Sequence, residues 1–198
     1  MTILNLQVGA STDDVVRWKD GDLWNLTNSN GSVGYGSSTY KGRGGGMRFL
    51  NVTIPKGAII IAAYLTLTAQ IDMSHTVVNG RIQIENADNG ATFSTQENFD
   101  ARSWSAAVDW DNIPAWTADV EYNSPSLVDL IQAVVNRAGW SSENAMVFVL
   151  QDYDQRSDTF YAPTVRDYWH WDGSSAKAPK LHIEYTVPAG RSYGFIIG

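Results

Sequence analysis

SPSLVDLIQAVVNRAGWSSENAMVFVLQ, residues 124–151, is the stretch that decides the fold. Its first half predicts an α-helix over about residues 125–137, because apolar residues recur at positions i, i+3, i+4, i+7 and i+8. Ser124 and Ser126 are alternative N-caps, and Gly139 can adopt the left-handed conformation that ends a helix. The expected buried face of this helix consists of Leu127, Leu130, Ile131, Val134 and Val135.

The second half of the stretch predicts a strand from Ala145 to Leu150 in which every residue is apolar. A strand without a polar face is buried on both sides and needs a cover on each. We expect the core of a sheet on one side and the preceding helix on the other. Because the rest of the chain is β-like, the sequence predicts an all-β jelly-roll sandwich with one α-helix packed across a sheet.

Alternation of apolar and polar residues predicts the other strands. In the longest of them, the alternation places Ile61 on the buried face. Residues 9–46 are polar and rich in glycine, and we expect an irregular segment there. Residues 1–187 are expected to form a single domain, followed by a tail at 188–198. The predicted strands are Ile3–Val8, Met47–Ile54, Ala58–Ala69, Val77–Asn86 and Lys180–Val187.

Composition narrows the classes of partner. The 198 residues carry a formal net charge of −7, which argues against binding of nucleic acid or of an anionic membrane surface. The absence of cysteine excludes disulfides and thiolate metal sites. No signal peptide is visible, and no segment approaches the roughly 18 apolar residues of a membrane span. We expect a virion or extracellular location reached without a visible signal.

Three segments together resemble a known family. They are GMRFLNVTIPKGAIIIAAYLTLTA (46–69), SLVDLIQAVVNRAGWSSENAMVFVL (126–150) and APKLHIEYT (178–186), with STDDV (11–15) as an opening match. They are similar to the jelly-roll modules of the DNRLRE type, which are related to carbohydrate-binding modules and occur in bacterial surface and phage-associated proteins. The resemblance implies a jelly-roll fold and a role as linker, stalk, adhesion unit or sugar binder. It implies no catalytic motif.

No motif in the sequence indicates catalysis. His75, His170 and His182 have no metal-ligand spacing, and neither a G-x-S-x-G nor an H-E-x-x-H motif occurs. No acidic residue has a context that identifies it as one of the paired carboxylates of a glycosidase. We therefore expect that the protein is not an enzyme, with a polysaccharide-acting hydrolase as a distant alternative.

Asp152, Asp154 and Asp158 form the candidate metal site. These three carboxylates, with Asp13 and Asp14 as further donors, offer the oxygen ligands that calcium prefers. The alternative interpretation is that all of them are solvated turn residues near arginines, and no EF-hand pattern is present. We expect no cofactor unless calcium binds at these aspartates.

Aromatic residues in segments of weak strand character form the candidate ligand site. Exposed ring faces can stack on sugar rings while neighbouring Asp and Asn side chains bind the hydroxyls. The alternative is that the rings cover the ends of the sandwich and anchor long loops. Trp104 shares the six-residue spacing of two of the candidates. The candidates are Trp110, Trp116, Tyr161, Tyr168, Trp169 and Trp171.

The apolar tail leads to the functional hypothesis. It contains Tyr193, Phe195, Ile196 and Ile197, and an apolar terminus left in water is adhesive. We expect the tail to add to a neighbouring chain rather than to fold back. The leading hypothesis is a non-enzymatic structural module, such as a phage virion accessory protein (capsid decoration or tail), with protein partners in a homo-oligomer or a virion. The alternative is a carbohydrate-binding module that uses the loop aromatics.

Overall fold

The structure, a computed structural model, describes residues 1–75, 77–159 and 163–188. Strands dominate these ranges and pair antiparallel, which confirms the predicted all-β fold. Neither of the two α-helices in the described ranges, α1 (Gln96–Asp100) and α2 (Val128–Val135), is long and apolar enough to span a membrane. The strands are β1 (Thr2–Gln7), β2 (Asp14–Trp18), β3 (Leu23–Asn25), β4 (Asn30–Tyr35), β5 (Gly42–Phe49), β6 (Ile59–Thr68), β7 (Gly80–Ile84), β8 (Val108–Trp110), β9 (Glu121–Asn123), β10 (Met146–Gln151), β11 (Thr164–Trp169) and β12 (Lys180–Thr186).

The strands form two sheets. The smaller sheet has the order β1-β12-β6-β9, and the larger has the order β11-β4-β5-β10-β7-β8. In the larger sheet β2 also pairs with β5, and β3 pairs with β2. Strand β5 therefore pairs with three strands. Strand β10 lies along one edge, and β4 followed by β2 lies along the other.

The main core contains buried side chains from both sheets and from α2. Helix α2 packs against β6 and β7, and the buried residues on its face confirm the predicted apolar stripe. The helix begins later than predicted, and its N-cap residue Leu127 makes no side-chain capping bond. The hydroxyl of Ser124 instead accepts a hydrogen bond from the Leu65 N–H at 3.0 Å. The segment before α2 is thus held along β6 rather than wound into the helix.

Strand β10 is buried on both faces, as its sequence predicted. Met146, Phe148 and Leu150 point into the main core. Val147 and Val149 point to the outer face of the larger sheet, into a second apolar cluster that also contains Val15, Phe93 and Phe99. The cover of the outer face is therefore built from α1 and from the segments before it and around β2. It does not come from α2, to which the sequence analysis assigned it.

The region at residues 9–46 is regular, in contrast to the prediction. It contains β2, β3, β4 and the start of β5. The strand pattern was not visible in the sequence because glycine has no side chain and because polar residues such as Asp14 and Ser32 are buried in this region. Without apolar residues at every second position, the period of a strand cannot be recognised.

The predicted orientation of Ile61 is wrong. Its side chain is 49% exposed, whereas Ile60 is buried. The pairing of β6 with β12 shifts register between Glu184 and Tyr185, as at a β-bulge. A bulge reverses the faces of the residues on one side of it. The exposed face of β6 consequently begins with isoleucines.

We predict that truncation of the buried helix face is costly. Leu130→Ala should lower the free energy of unfolding by about 2–5 kcal/mol, the range for a leucine truncated in a core. Ala133→Lys changes an exposed position of the same helix, and we expect a change within about 0.5 kcal/mol. Urea denaturation of both variants measures the difference. Equal, small effects would show that α2 is not packed as described.

Candidate functional site

The candidate site is a cleft on the outer face of the larger sheet. Along β10, Val147, Val149 and Gln151 project onto this face, and the apolar cluster covers the first two. A cleft of about 300 Å³ opens around Gln151 and the neighbouring Gln83 of β7. The site thus forms where the cover of the sheet ends.

The apolar side of the cleft is formed by Phe99, Trp104 and Val149. Phe99 is fixed by α1, whose N-cap Thr95 accepts a hydrogen bond from the Asn98 N–H at 3.2 Å. Trp104 forms a β-bridge with Glu85, and its ring centroid lies 5.6 Å from that of Phe99. Trp104 is only half-buried, so part of its ring surface is available to a ligand.

A chain of amides crosses the floor of the cleft. The Gln83 side chain donates to the Ser105 carbonyl at 2.7 Å and accepts from the Gln151 side chain at 3.3 Å. The side-chain oxygen Oε1 of Gln151 accepts a hydrogen bond from the Tyr153 N–H at 2.6 Å. These bonds fix both carboxamides, yet each uses only one of the two N–H groups of its amide. The floor therefore presents oriented donors next to the apolar wall.

Ion pairs frame the cleft. Asp100 accepts two hydrogen bonds from Arg17, at 3.0 and 2.7 Å, and the pKa of Arg17 is raised by this bond. Asp154 is paired with Arg81, which also contacts Asp109 at 3.0 Å. Such pairs hold the rim side chains in fixed positions. The rim thus offers charged hydrogen-bonding groups of both signs.

Tyr153 and Lys19 form the remaining part of the rim. The Tyr153 hydroxyl donates to the Arg17 carbonyl at 3.0 Å, and the Lys19 ammonium lies 4.8 Å from the centre of the Tyr153 ring. Burial of the phenol raises the pKa of Tyr153. The arrangement combines an apolar wall with fixed amides, carboxylates and cations, which suits a small polar ligand that also has an apolar face.

Most of the predicted aromatic residues lie elsewhere. Trp110, Trp116 and Tyr168 are buried, so they offer no ring face for stacking, and their predicted ligand role does not fit their positions. Trp169 is half-buried and donates to Asp119 at 3.1 Å. Trp171 packs against the main core. The stacking of Trp116 on Tyr122, with ring centroids 5.0 Å apart, illustrates the anchoring role that was the alternative interpretation.

The predicted calcium ligands do not converge. The carboxylate of Asp152 accepts the backbone N–H groups of Arg156 and Ser157, at 2.7 and 3.1 Å, and Asp154 is paired with Arg81. Asp158 donates its backbone N–H to Val77 at 2.9 Å. Within residues 1–75, 77–159 and 163–188, no group of three acidic or histidine side chains is placed to hold a metal ion. Asp152 therefore acts as a turn residue.

Two of the sequence predictions lie outside the described residues. Tyr161 belongs to the segment 160–162, and the tail residues Tyr193, Phe195, Ile196 and Ile197 belong to 189–198.

Sequence reasoning missed the residues of the cleft, apart from Trp104 and Asp154, and assigned Asp154 to a metal site. One signal was available: Gln151 follows directly on a strand that is apolar on both faces, and a polar residue there marks the point at which the cover ends. The predicted strand Val77–Asn86 contains Gln83 and Arg81, and the structure places both on the outer face of the larger sheet. The pairing of β10 with β7 joins segments that are far apart in the chain, so the sequence did not reveal it.

A shallower groove lies on the smaller sheet. Tyr64 of β6 and His182 of β12 stack there with ring centroids 4.7 Å apart. The His182 ring nitrogens lie 2.7 Å from the Asn5 side-chain oxygen and 3.2 Å from Glu184. The two rings thus pack on each other as a directly opposed pair of neighbouring strands.

No model of a protein family matches the chain, and no curated protein is significantly similar to it. The site is therefore interpreted from its geometry alone.

A buried polar cluster, formed by Asp14, Tyr168 and His170, lies away from the cleft. Asp14 accepts a hydrogen bond from the Trp171 N–H at 2.7 Å, and its second oxygen lies 3.9 Å from His170 Nδ1. Burial, reinforced by the charges of Asp172 and Asp13, raises the pKa of Asp14 to about 7. Burial lowers the pKa of His170 to about 3.

These two shifts predict opposing effects of pH on stability. Between about pH 4 and 6.5, the folded chain retains a proton on Asp14 that the unfolded chain has released. The contribution of Asp14 to the free energy of unfolding therefore falls as pH rises. Over the same range His170 is protonated in the unfolded chain and not in the folded chain. The contribution of His170 to the free energy of unfolding therefore rises with pH. In the wild type the two contributions offset each other.

Substitution of either residue should remove this cancellation. Relative to the wild type, His170→Asn should become less stable as pH rises from about 3 to 6.5, and Asp14→Asn more stable as pH rises from about 4 to 7, each by at most about 1.4 kcal/mol per pH unit. Urea denaturation at a series of pH values measures both slopes. Profiles parallel to the wild type would contradict the assignment.

Proposed function

We propose that the chain is a glycan-binding module and that the cleft beside Gln151 binds one sugar unit of a polysaccharide. The observation that carries this proposal is the combination, within about 300 Å³, of the partly exposed ring of Trp104 with the fixed amides of Gln83 and Gln151. A pyranose ring has an apolar face and a polar edge. The ring of Trp104 suits the face, and the amides suit the hydroxyl groups of the edge.

Binding is favoured over catalysis by the pairing of the carboxylates. Glycoside hydrolysis needs two carboxyl groups that flank the scissile bond and are free to act on it. Asp100 and Asp154, which line the cleft, are each paired with an arginine. Their oxygens are therefore engaged in holding the rim of the cleft. Carboxylate oxygens are also suitable acceptors for sugar hydroxyls.

A second candidate function is a structural module that assembles on a particle such as a phage virion. Its supporting observation is a set of exposed isoleucines on the outer face of the smaller sheet, on either side of β12. Ile3 of β1 is 52% exposed, and Ile59 and Ile61 of β6 are 53% and 49% exposed. Exposed apolar side chains that share one face of a sheet can form part of a protein contact. This surface belongs to the other sheet, so the two candidate functions do not compete for the same residues.

The glycan proposal predicts that filling the cleft weakens binding. Ala107 lines the cleft and is exposed, and Ala106 beside it is exposed but does not line it. In affinity electrophoresis with a β-glucan, a xylan, a galactomannan and a polygalacturonate, at least one polysaccharide should retard the wild type. Ala107→Arg should weaken that binding at least tenfold, about 1.4 kcal/mol. Ala106→Arg should bind as the wild type does.

Two results would contradict this proposal. One is that no polysaccharide retards the wild type. The other is that Ala107→Arg binds as well as Ala106→Arg, which would place any glycan contact outside the cleft.

The assembly candidate predicts that the chain is recovered with particles. Mass spectrometry of particles purified from the natural source should find the protein at a fixed ratio to the major structural protein. Recovery only in the particle-free fraction would contradict this function and would leave the glycan proposal unaffected.

A further inference from the structure

The two long edges of the smaller sheet differ. The edge at β6 is covered by the segment that leads into α2. There the Leu127 N–H donates to the Ala63 carbonyl at 2.8 Å, and the Ile60 N–H donates to the Gln132 side chain at 2.9 Å. Strand β9 covers the rest of this edge by pairing with residues 66–68. The backbone groups along this edge are therefore satisfied within the chain.

The edge at β1 is open. Residues Thr2–Gln7 pair with β12 in an unbroken register, and no strand pairs with their other side within the described part of the chain. Edge strands are usually protected by charged side chains, proline, a bulge or short length. The sequence of β1, TILNLQ, has six residues without charge or proline. It therefore has none of the features that prevent pairing with another strand.

The side chains of β1 also leave apolar surface uncovered. Leu4 and Leu6 face inward but are only partly buried at the margin of the main core. Ile3 on the opposite face is 52% exposed. A strand placed beside β1 would cover these leucines and satisfy the open backbone groups at the same time.

We propose that a second copy of this chain pairs with β1 through its own β1, antiparallel and about a two-fold axis. A two-fold interface brings the same surface together from both copies, and it is the commonest symmetry of soluble oligomers. The absence of charge on β1 removes the repulsion that like charges would cause in self-pairing. The two smaller sheets then join into one continuous sheet of eight strands.

The pleat restricts the register of this pairing. Residues opposite each other in an antiparallel pair must lie on the same face of the sheet. Only two central registers satisfy this condition: one places Asn5 opposite the second copy's Asn5, and the other places Leu4 opposite the second copy's Leu4. In the Leu4 register the two Leu4 side chains lie opposite each other. In the Asn5 register Leu4 of each copy lies opposite Leu6 of the other.

Cysteine cross-linking tests the proposal directly, because the chain contains no cysteine. Residues opposite each other in an antiparallel pair have Cα atoms about 4.5–5.5 Å apart, within the range of a disulfide. Either Asn5→Cys or Leu4→Cys should form a disulfide-linked dimer on mild oxidation. Ile61→Cys, exposed on β6 of the same sheet, is the matched control and should remain uncrosslinked.

Sedimentation equilibrium gives a second, independent measurement. The wild type should have twice the 21.8 kDa mass of one chain. Asn5→Lys, an exposed position, places like charges opposite each other or two residues apart across the pair in either register, and should sediment as a folded monomer with an unchanged circular dichroism spectrum. Ile61→Lys should remain a dimer. None of these measurements involves a glycan, so the outcome is independent of the glycan proposal.

Three outcomes would overturn the proposal. The first is a wild type that is monomeric at every concentration. The second is cross-linking of Ile61→Cys without cross-linking of either β1 variant. The third is dissociation by Ile61→Lys but not by Asn5→Lys. The last two would indicate contact through the face of the sheet.

Discussion

The close approach of neighbouring segments to the backbone of β5 is the constraint on which the larger sheet depends. Strand β5 pairs with β10, β4 and β2, and glycine occupies four of its first five positions. A side chain at Gly45 would overlap the backbone carbonyl of Val15, and one at Gly46 would overlap the rings of Phe93 and Phe99. Glycine is required at these two positions because a side chain would prevent the close contact. The flexibility of glycine is not the reason. The outer layer rests directly on the strand.

The cleft is a consequence of the same contact. Because β2 and the rings of Phe93 and Phe99 lie on the backbone of β5, they also reach Val147 and Val149 of the adjacent β10. This cover protects two of the three outward residues of β10 and ends before Gln151. A polar residue at that position is tolerated because the amide of Gln83 and the Tyr153 N–H satisfy it. The site is thus the uncovered end of a surface that is otherwise closed.

Parts of this structure could be predicted from the sequence, and the rest depended on contacts that the sequence does not reveal. The apolar face of α2 and the double burial of β10 followed from periodicity, because both are local patterns. Strand β4 was invisible because glycine and Ser32 occupy three of its five buried positions. Trp110 and Trp116 were given a binding role because an aromatic ring in an irregular segment can equally be exposed or buried. Only the pairing of distant strands decides between these possibilities.

If the ligand is a polymer, the small cleft and the open edge of β1 both contribute to its binding. A volume of about 300 Å³ is at the lower limit for ligand sites, and a ligand that small has few atoms with which to bind. Two linked sites on one polymer bind more tightly than either site alone, because the second contact occurs at a high effective concentration. Pairing at β1 lies on the smaller sheet and leaves the outer face of the larger sheet free. A weak single cleft and a self-pairing edge are therefore compatible parts of one binding protein.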